Sequence, residues 1–103
     1  MSHPSKQKGN RVERLIVDLA KQYGLEAVRA WGSNGQSLGF TAEVDARIAN
    51  RSMQIKARKS IADYIKPAVN IDAQIIKEDR SEPLVVIRIS DYFEMLAKLE
   101  GLK

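Results

Sequence analysis

Residues 40–59 read FTAEVDARIANRSMQIKARK, and apolar residues alternate with polar ones along most of this stretch. An alternation with a period of two is typical of a β-strand that has one buried face. Asn50 and Arg51 lie between the two alternating runs, and this pair suits a tight hairpin turn. The stretch therefore predicts two antiparallel strands, over residues 40–49 and 53–59.

The predicted hairpin collects polar side chains on one face, because successive side chains of a strand point to opposite sides. These polar residues are Glu43, Asp45, Arg47, Gln54, Lys56 and Arg58. With the turn placed as above, Asp45 stands across from Lys56. Gln54 then lies diagonally from Asp45, at about 7–8 Å. The sequence thus predicts that the polar tips of these three side chains converge on one point.

Two elements are predicted upstream of the hairpin. Apolar residues recur at helical spacing between Val12 and Tyr23, which predicts an amphipathic helix over residues 9–22 that ends at Gly24. Glu13 falls at the border of the apolar stripe, so its carboxylate is expected to lie over the edge of the sheet. Residues 27–31 predict a short strand, and the turn-rich residues 32–39 predict a surface loop.

Three elements are predicted downstream. Residues 61–65, and after Pro67 residues 68–78, have apolar positions at helical spacing and predict a helix that crosses the sheet. The apolar run over residues 83–89 predicts a buried central strand or a dimer-facing strand. Ser90 is expected to cap a last helix over residues 91–99. The resulting order, α-β-β-β-α-β-α, predicts an α/β fold in which helices pack on a mixed sheet.

Length and composition limit the classes of function that the chain can have. The 103 residues predict a single domain over residues 1–103, and the absence of cysteine together with a single histidine leaves only oxygen-ligated metal sites. Since no apolar run is long enough to span a bilayer and the N-terminus lacks a signal-peptide core, we expect a soluble cytoplasmic protein without membrane contact. The net charge of +4 favours an anionic partner such as nucleic acid.

The converging polar residues suit one kind of chemistry. An aspartate, a second oxygen ligand one strand away and a nearby lysine are what hydrolysis of a phosphodiester by a hard divalent ion requires. Glu13 supplies a second acid from the first helix. A simpler interpretation is that Asp45 and Lys56 form only a cross-strand ion pair.

Several short motifs, taken in order along the chain, resemble the PD-(D/E)XK nuclease superfamily, and within it the archaeal-type Holliday junction resolvases. They are Lys8-Gly9, Glu13-Arg14, Val28-Arg29, Gly32-Ser33-Asn34-Gly35, Glu43-Val44-Asp45 and Gln54-Ile55-Lys56. The resemblance extends from about residue 6 to residue 88. It implies a restriction-endonuclease-like fold and a metal-dependent endodeoxyribonuclease that resolves four-way DNA junctions. It also implies Mg²⁺ as cofactor, with Mn²⁺ as a substitute.

The resemblance carries roles over to individual positions. It implies that Glu13, Asp45, the Gln54 side-chain oxygen and the Ile55 carbonyl hold the metal. Lys56 is the implied catalytic lysine, Ser33 the implied loop serine of the site, and Arg14 and Arg29 the implied DNA contacts. Further basic residues near the first helix and after the third strand are expected to contact phosphates, although they could serve only solubility. These are Lys6, Lys8, Arg11, Arg58 and Lys59.

The chain departs from the family pattern at Gln54, where the family usually has glutamate. An amide oxygen can bind a metal but supplies no charge, so Mg²⁺ should be held less tightly. Glu43, on the same predicted face as Asp45, is a hypothetical source of the missing charge.

Alternatives to a junction resolvase remain at this point. One is another nuclease of the same superfamily that cuts flaps or duplex DNA, and another is a non-catalytic DNA-binding module with a decayed site. Because junction cleavage needs two symmetric cuts, a resolvase this short is expected to act as a homodimer. The predicted strand over residues 84–89 and the last helix are candidates for the dimer surface or for plain core.

Overall fold

Two helices and two small antiparallel sheets make up the fold. The computed structural model describes residues 4–30, 32 and 34–101, with side chains from residue 7 onward. Its elements are α1 (Pro4–Gln22), β1 (Ala27–Arg29), β2 (Ala46–Ile48), β3 (Arg51–Met53), β4 (Ala73–Ile76), β5 (Leu84–Ile87) and α2 (Ile89–Leu99), with short 3₁₀ turns at Gly35–Leu38 and Asp63–Ile65. One sheet has the strand order β1-β2-β3, and the other consists of β4 and β5. The prediction of an α/β protein is thereby confirmed. The predicted single mixed sheet and the predicted order α-β-β-β-α-β-α are wrong, because the strands form two separate antiparallel sheets and a fifth strand takes the place of the middle helix.

The first helix has the predicted type and end. It begins at Pro4, earlier than predicted, and proline suits a first helical turn because it lacks the N–H that would have no partner there. After Gln22 the chain turns at Gly24, which has a φ of 81°. This left-handed conformation is accessible to glycine without a steric cost and ends the helix as expected.

The β2–β3 hairpin forms, but its register differs from the predicted one. Ala49 and Asn50 both have positive φ, 50° and 64°, and make the two-residue turn. Such a turn matches the right-handed twist of the strands, so it is preferred over a turn at the next pair of residues. Arg47 therefore faces Ser52 and not Gln54. Because the register moves by an even number of positions, Ala46 and Ile48 keep their side chains in the core.

The core lies between the three-stranded sheet and both helices. Ala27, Ala46 and Ile48 of the sheet pack in one cluster with Val17 and Ala20 of α1. From α2 the cluster receives Phe93, Leu96 and Ala97. Small alanines at these positions let the backbones approach closely, and this packing holds α1 against the sheet edge where the polar residues collect.

The predicted helix over residues 68–78 is wrong. Residues 73–76 form β4 and pair antiparallel with β5, with Ala73 opposite Ile87 and Ile76 opposite Leu84. Val69, Ile71 and Ile75 are β-branched, and such residues lose side-chain freedom in a helix but pack well across a pleated sheet. Residues 71, 73 and 75 are all apolar, so the segment also fits the period of two that is typical of a strand. Pairing with β5, which is rich in β-branched residues, favours the strand over the helix.

The end of the chain differs from the prediction in two details. β5 is a strand as predicted, but it is not a buried central strand, since Leu84 is 68% and Val85 60% exposed in a two-stranded sheet. α2 begins at Ile89, so Ser90 lies inside its first turn and does not cap it. Within the described ranges, no helix is long and apolar enough to cross a bilayer.

Candidate functional site

A cleft of about 470 Å³ lies between the N-terminal half of α1 and the extended chain that follows β3. Its walls carry two acidic and four basic side chains, together with a glycine and two apolar residues. They are Lys8, Gly9, Glu13, Asp45, Ile55, Lys56, Ala57, Arg58 and Lys59. Seven of these nine are residues that the sequence predicted for the site, so the structure brings most of the predicted site together.

The two acids of this cleft are the only polar or charged residues classed as buried in the described part of the chain. Glu13 is 6% exposed and Asp45 is 9% exposed. Removing a carboxylate from water is costly unless hydrogen bonds or opposite charges compensate it. Each of the two has such compensation, and it comes from a different element.

Asp45 is fixed by the strands on both sides of it. Its Oδ2 accepts a hydrogen bond from the Ile55 N–H at 2.6 Å. Its main-chain N–H donates to the Met53 carbonyl, and its carbonyl accepts from the Ala30 N–H, both at 2.8 Å. The carboxylate is therefore held in place at the cleft wall by backbone groups.

The ion pair proposed as the simpler role of Asp45 does not form. No salt bridge within the described residues joins Asp45 to Lys56, and the backbone N–H of Ile55 takes that place. The change follows from the register of the hairpin, which no longer places the two residues opposite each other. Lys56 lines the same cleft as both acids and is exposed.

Glu13 is paired with a basic residue from the neighbouring strand. Arg29, the last residue of β1, places Nη2 3.1 Å from Glu13 Oε1 and donates from the same nitrogen to Asn10 Oδ1 at 3.3 Å. The Glu13 side chain is 8% exposed and the Arg29 side chain 30%. The predicted DNA contact Arg29 is thus engaged with a predicted metal ligand.

Four of the predicted DNA contacts and site residues lie elsewhere. Arg14 and Arg29 line a second groove of about 340 Å³, with Lys21 and Asp18. Arg11 is exposed on α1, about 160° around the helix from Glu13. Gln54 is exposed and absent from the cleft wall.

Two predicted residues fall outside the described part. Ser33 lies outside the described residues, and Lys6 belongs to α1 but its side chain lies outside them.

Glu43 is not placed to restore a negative charge at the cleft. It lies in an exposed turn before β2 and is absent from the cleft wall. Its own backbone N–H, and secondarily the Thr41 hydroxyl, lower the pKa of the Glu43 carboxyl below its ordinary value. Glu43 lies in a turn because the strand predicted from residue 40 begins only at residue 46. The carboxylate is thus stabilised by its own turn.

Two residues of the site had no predicted role. Asn10 lies about one helical turn before Glu13, and both residues accept a hydrogen bond from Arg29 Nη2. Their three-residue spacing on a helix could have indicated that they are neighbours. Gly9 lies one turn before Glu13 on the same helix face, and a Cβ built there meets nothing within 4 Å. Gly9 therefore leaves the cleft open above the α1 backbone.

The donor atoms of the cleft suit a hard divalent cation. Mg²⁺ in proteins is commonly held by one or two carboxylates, with water and phosphate oxygens completing its shell. Glu13 and Asp45 provide two carboxylates, and the Asp45 Oδ1 makes no hydrogen bond to any described residue. No group of three or more acidic, histidine or cysteine side chains that could hold an ion occurs among the described residues.

Comparisons of the chain with protein-family models, with curated proteins and with solved structures found no significant match.

Proposed function

We propose that the protein is a metal-dependent, structure-selective endodeoxyribonuclease that resolves four-way DNA junctions by paired phosphodiester hydrolysis. The observation that carries this proposal is that the only two buried acids of the described chain line one cleft, together with Lys56 and three further cations. Burying acids is costly for stability, and such groups in a cleft are candidates for function. The restriction-endonuclease-like architecture and the cytoplasmic location expected from the sequence belong to the same proposal.

Each side chain of the cleft has a defined role in this proposal. Glu13 and Asp45, with the Ile55 carbonyl, hold Mg²⁺ or Mn²⁺, and Gln54 stays outside this ligand set. When bound, the ion supplies Lewis-acid polarisation of the phosphate and a more acidic water. Lys56 orients the attacking water and places its positive charge near the charge that develops on the phosphoryl oxygens.

Hydrolysis of the phosphodiester needs no reactant other than water. The water oxygen bonds to phosphorus, the bond from phosphorus to the 3′ oxygen breaks, and the leaving oxygen takes up a proton. The products are a 5′-phosphate and a 3′-hydroxyl, as the family resemblance implies.

DNA binding is proposed to rest on the cations of the cleft. Lys8, Arg58 and Lys59 lie beside the acids, and together with Lys56 they give the cleft two more positive than negative side chains. Such residues bind phosphates regardless of base sequence. This favours recognition of the DNA backbone and branch shape over reading of bases.

A homodimer is proposed for the paired cuts. The face formed by β5 and α2 has a groove of about 610 Å³ that is lined by Val85, Val86, Ile87, Ile89, Tyr92 and Met95, none of them charged. An uncharged patch can meet its own copy around a two-fold axis without like-charge repulsion. The groove and the cleft share no lining residue, so we propose that pairing at the groove leaves both clefts for DNA.

Cleavage of a labelled four-way junction, beside a duplex of equal length, tests the proposed function. Wild-type protein and Asp45→Asn are compared in Mg²⁺, Mn²⁺ and EDTA, with Asp79→Asn as the matched control because it makes the same change in an exposed turn. Paired, metal-dependent cuts near the branch that Asp45→Asn abolishes and Asp79→Asn retains are expected.

Other outcomes point to the alternatives. Equal cutting of both substrates would keep a nuclease of the same superfamily for flaps or duplex. Salt-sensitive binding without any metal-dependent cutting would indicate a non-catalytic DNA-binding module.

A further inference from the structure

Arg29 connects the candidate metal cleft with the second groove. Its guanidinium binds Glu13, which lines the cleft, while Arg29 itself lines the neighbouring groove together with Arg14 and Lys21. That groove has three basic side chains and one acid, Asp18. Arg29 is thus the basic residue through which the two sites touch.

The contact of Arg29 with Glu13 leaves one donor without an acceptor. Nη2 donates to Glu13 and Asn10, but Nε is buried and has no hydrogen-bond partner among the described residues. A buried donor without a partner is costly, and this cost offsets part of the gain from the ion pair. The paired arrangement therefore has a competitor, in which Arg29 leaves Glu13 and its Nε gains water or a new acceptor.

Metal binding changes the balance between these two arrangements. With a divalent ion held by Glu13 and Asp45, the Arg29 guanidinium faces a second cation at the same carboxylate. The repulsion weakens the pair, and the groove that Arg29 already lines is where the side chain can turn. A DNA phosphate in that groove offers the oxygen acceptors that the released guanidinium needs.

We propose that Arg29 couples metal binding to DNA binding, pairing with Glu13 in the metal-free protein and contacting a DNA phosphate beside Arg14 and Lys21 once Glu13 holds a divalent ion. This inference rests on the proposed function, since it takes Glu13 as a metal ligand and DNA as the partner. Coupling of this kind is reciprocal, so bound DNA also strengthens metal binding. Arg29 acts here as a positioning residue in one state and as a phosphate contact in the other.

Binding of a labelled four-way junction, followed by fluorescence anisotropy at equal ionic strength in EDTA and in Ca²⁺, tests the coupling. A gel run on the same samples establishes that the DNA stays intact. For the wild-type protein the Kd is expected to fall at least about 5-fold from EDTA to Ca²⁺, the lower end of typical coupling. Arg29→Gln should lose this dependence while its Kd in EDTA stays close to that of the wild-type protein. Arg14→Gln, the matched control, should weaken binding equally in both conditions.

A second measurement follows ion binding without DNA. Calorimetry with Mn²⁺ at pH 8 should show tighter binding to Arg29→Gln than to wild-type protein, because the competing cation is gone. A merely structural role of Arg29 predicts the opposite sign, since Glu13 would lose its support. If Arg29→Gln does not fold, Asn10→Ala is measured in its place. This substitution removes the other acceptor of Arg29 Nη2, and the variant should keep the Ca²⁺ dependence of DNA binding.

The results separate this inference from the proposed function. An unchanged Ca²⁺ dependence in Arg29→Gln, an equal loss of binding in both conditions, or no dependence in wild-type protein would overturn the coupling, even with cleavage intact. Loss of the coupling in Arg29→Gln in a protein that never cuts DNA would instead overturn only the nuclease proposal.

Discussion

At the scale of single residues, the site depends on how each charge is held. Asp45 is fixed by backbone N–H and C=O groups, whereas Glu13 depends on the side chain of Arg29. Among the described residues Lys56 has neither kind of contact, and it stays exposed in the cleft. This difference separates the two proposed metal ligands, which hydrogen bonds hold in place, from the lysine, which can adjust to substrate.

Replacing Lys56 by methionine should abolish most of the cleavage while leaving much of the DNA binding. Loss of a positioned charge at the reacting phosphate is expected to lower kcat by about 10²-fold or more. The other cations of the cleft still attract phosphate. Single-turnover cleavage and anisotropy measure the two effects, with Lys77→Met, an exposed lysine after β4, as the control. A parallel loss of both in Lys56→Met would show that Lys56 only binds DNA.

Replacing Glu43 by glutamine should leave the Mg²⁺ dependence of cleavage unchanged. Glu43 is fully exposed in its turn and lies outside the cleft wall. A titration of cleavage rate against Mg²⁺ measures this, with Glu13→Gln as the variant expected to require much more Mg²⁺. A shift of the Mg²⁺ midpoint in Glu43→Gln would return Glu43 to the metal site.

At the scale of elements, the β2–β3 turn sets the geometry of the site. Ala49 and Asn50 both occupy the left-handed region, and this turn fixes which residues of β3 and its extension face Asp45. Asparagine tolerates that conformation, but a β-branched residue does so only at a steric cost. The shape of the hairpin therefore depends on residues that tolerate positive φ at positions 49 and 50.

Asn50→Val should lower the free energy of unfolding by about 1–2 kcal/mol, the cost of the left-handed conformation for a β-branched residue, which asparagine tolerates. Asn50→Gly, at the same exposed position, should leave it almost unchanged because glycine adopts positive φ freely. Urea unfolding followed by circular dichroism measures both. Equal stabilities of the two variants would contradict the assigned turn.

The sequence predicts elements well where one periodicity dominates and poorly where two compete. α1 follows from its apolar stripe and Gly24, and the hairpin follows from strict alternation. The pattern predicts the turn one residue late because the match between turn and strand twist is not visible in composition. It predicts a helix where β4 forms because Ile71, Ile75 and their neighbours fit both periods, and only the pairing with β5 settles the choice.

The placement of the candidate-site residues depends less on the hairpin register than the pairing of the strands does. Glu13, Asp45 and Lys56 share a cleft despite the different register, since a move of two positions keeps a side chain on its face. Gln54 and Glu43 lie outside the cleft wall, contrary to the prediction. Asp45 and Lys56 also lie beyond the short strands β2 and β3, so alternation alone does not separate the residues that reach the cleft from those that do not.

At the scale of the whole molecule, the basic cleft and the apolar face of β4, β5 and α2 are built from different elements. The cations of the cleft belong to α1 and the chain after β3, while half of the large exposed apolar residues in the described part of the chain belong to β4, β5 and α2. Among the latter, Ile75 is 73%, Leu84 68% and Met95 55% exposed. A two-stranded sheet is marginal in water unless another surface covers it. The apolar face therefore favours a protein partner, and the basic cleft favours DNA.

Val85→Glu should make the protein monomeric, because Val85 is 60% exposed and lines the uncharged groove of β5 and α2. Two glutamates brought together around a two-fold axis would repel each other in a desolvated interface. Leu15→Glu is the matched control, since Leu15 is 65% exposed but lies on α1. Sedimentation equilibrium should show dimers for wild-type protein and Leu15→Glu, and monomers for Val85→Glu. On a junction labelled in opposite strands, the monomer should make single nicks where the dimer makes paired cuts, and a Val85→Glu protein that still dimerises would place the partner surface elsewhere.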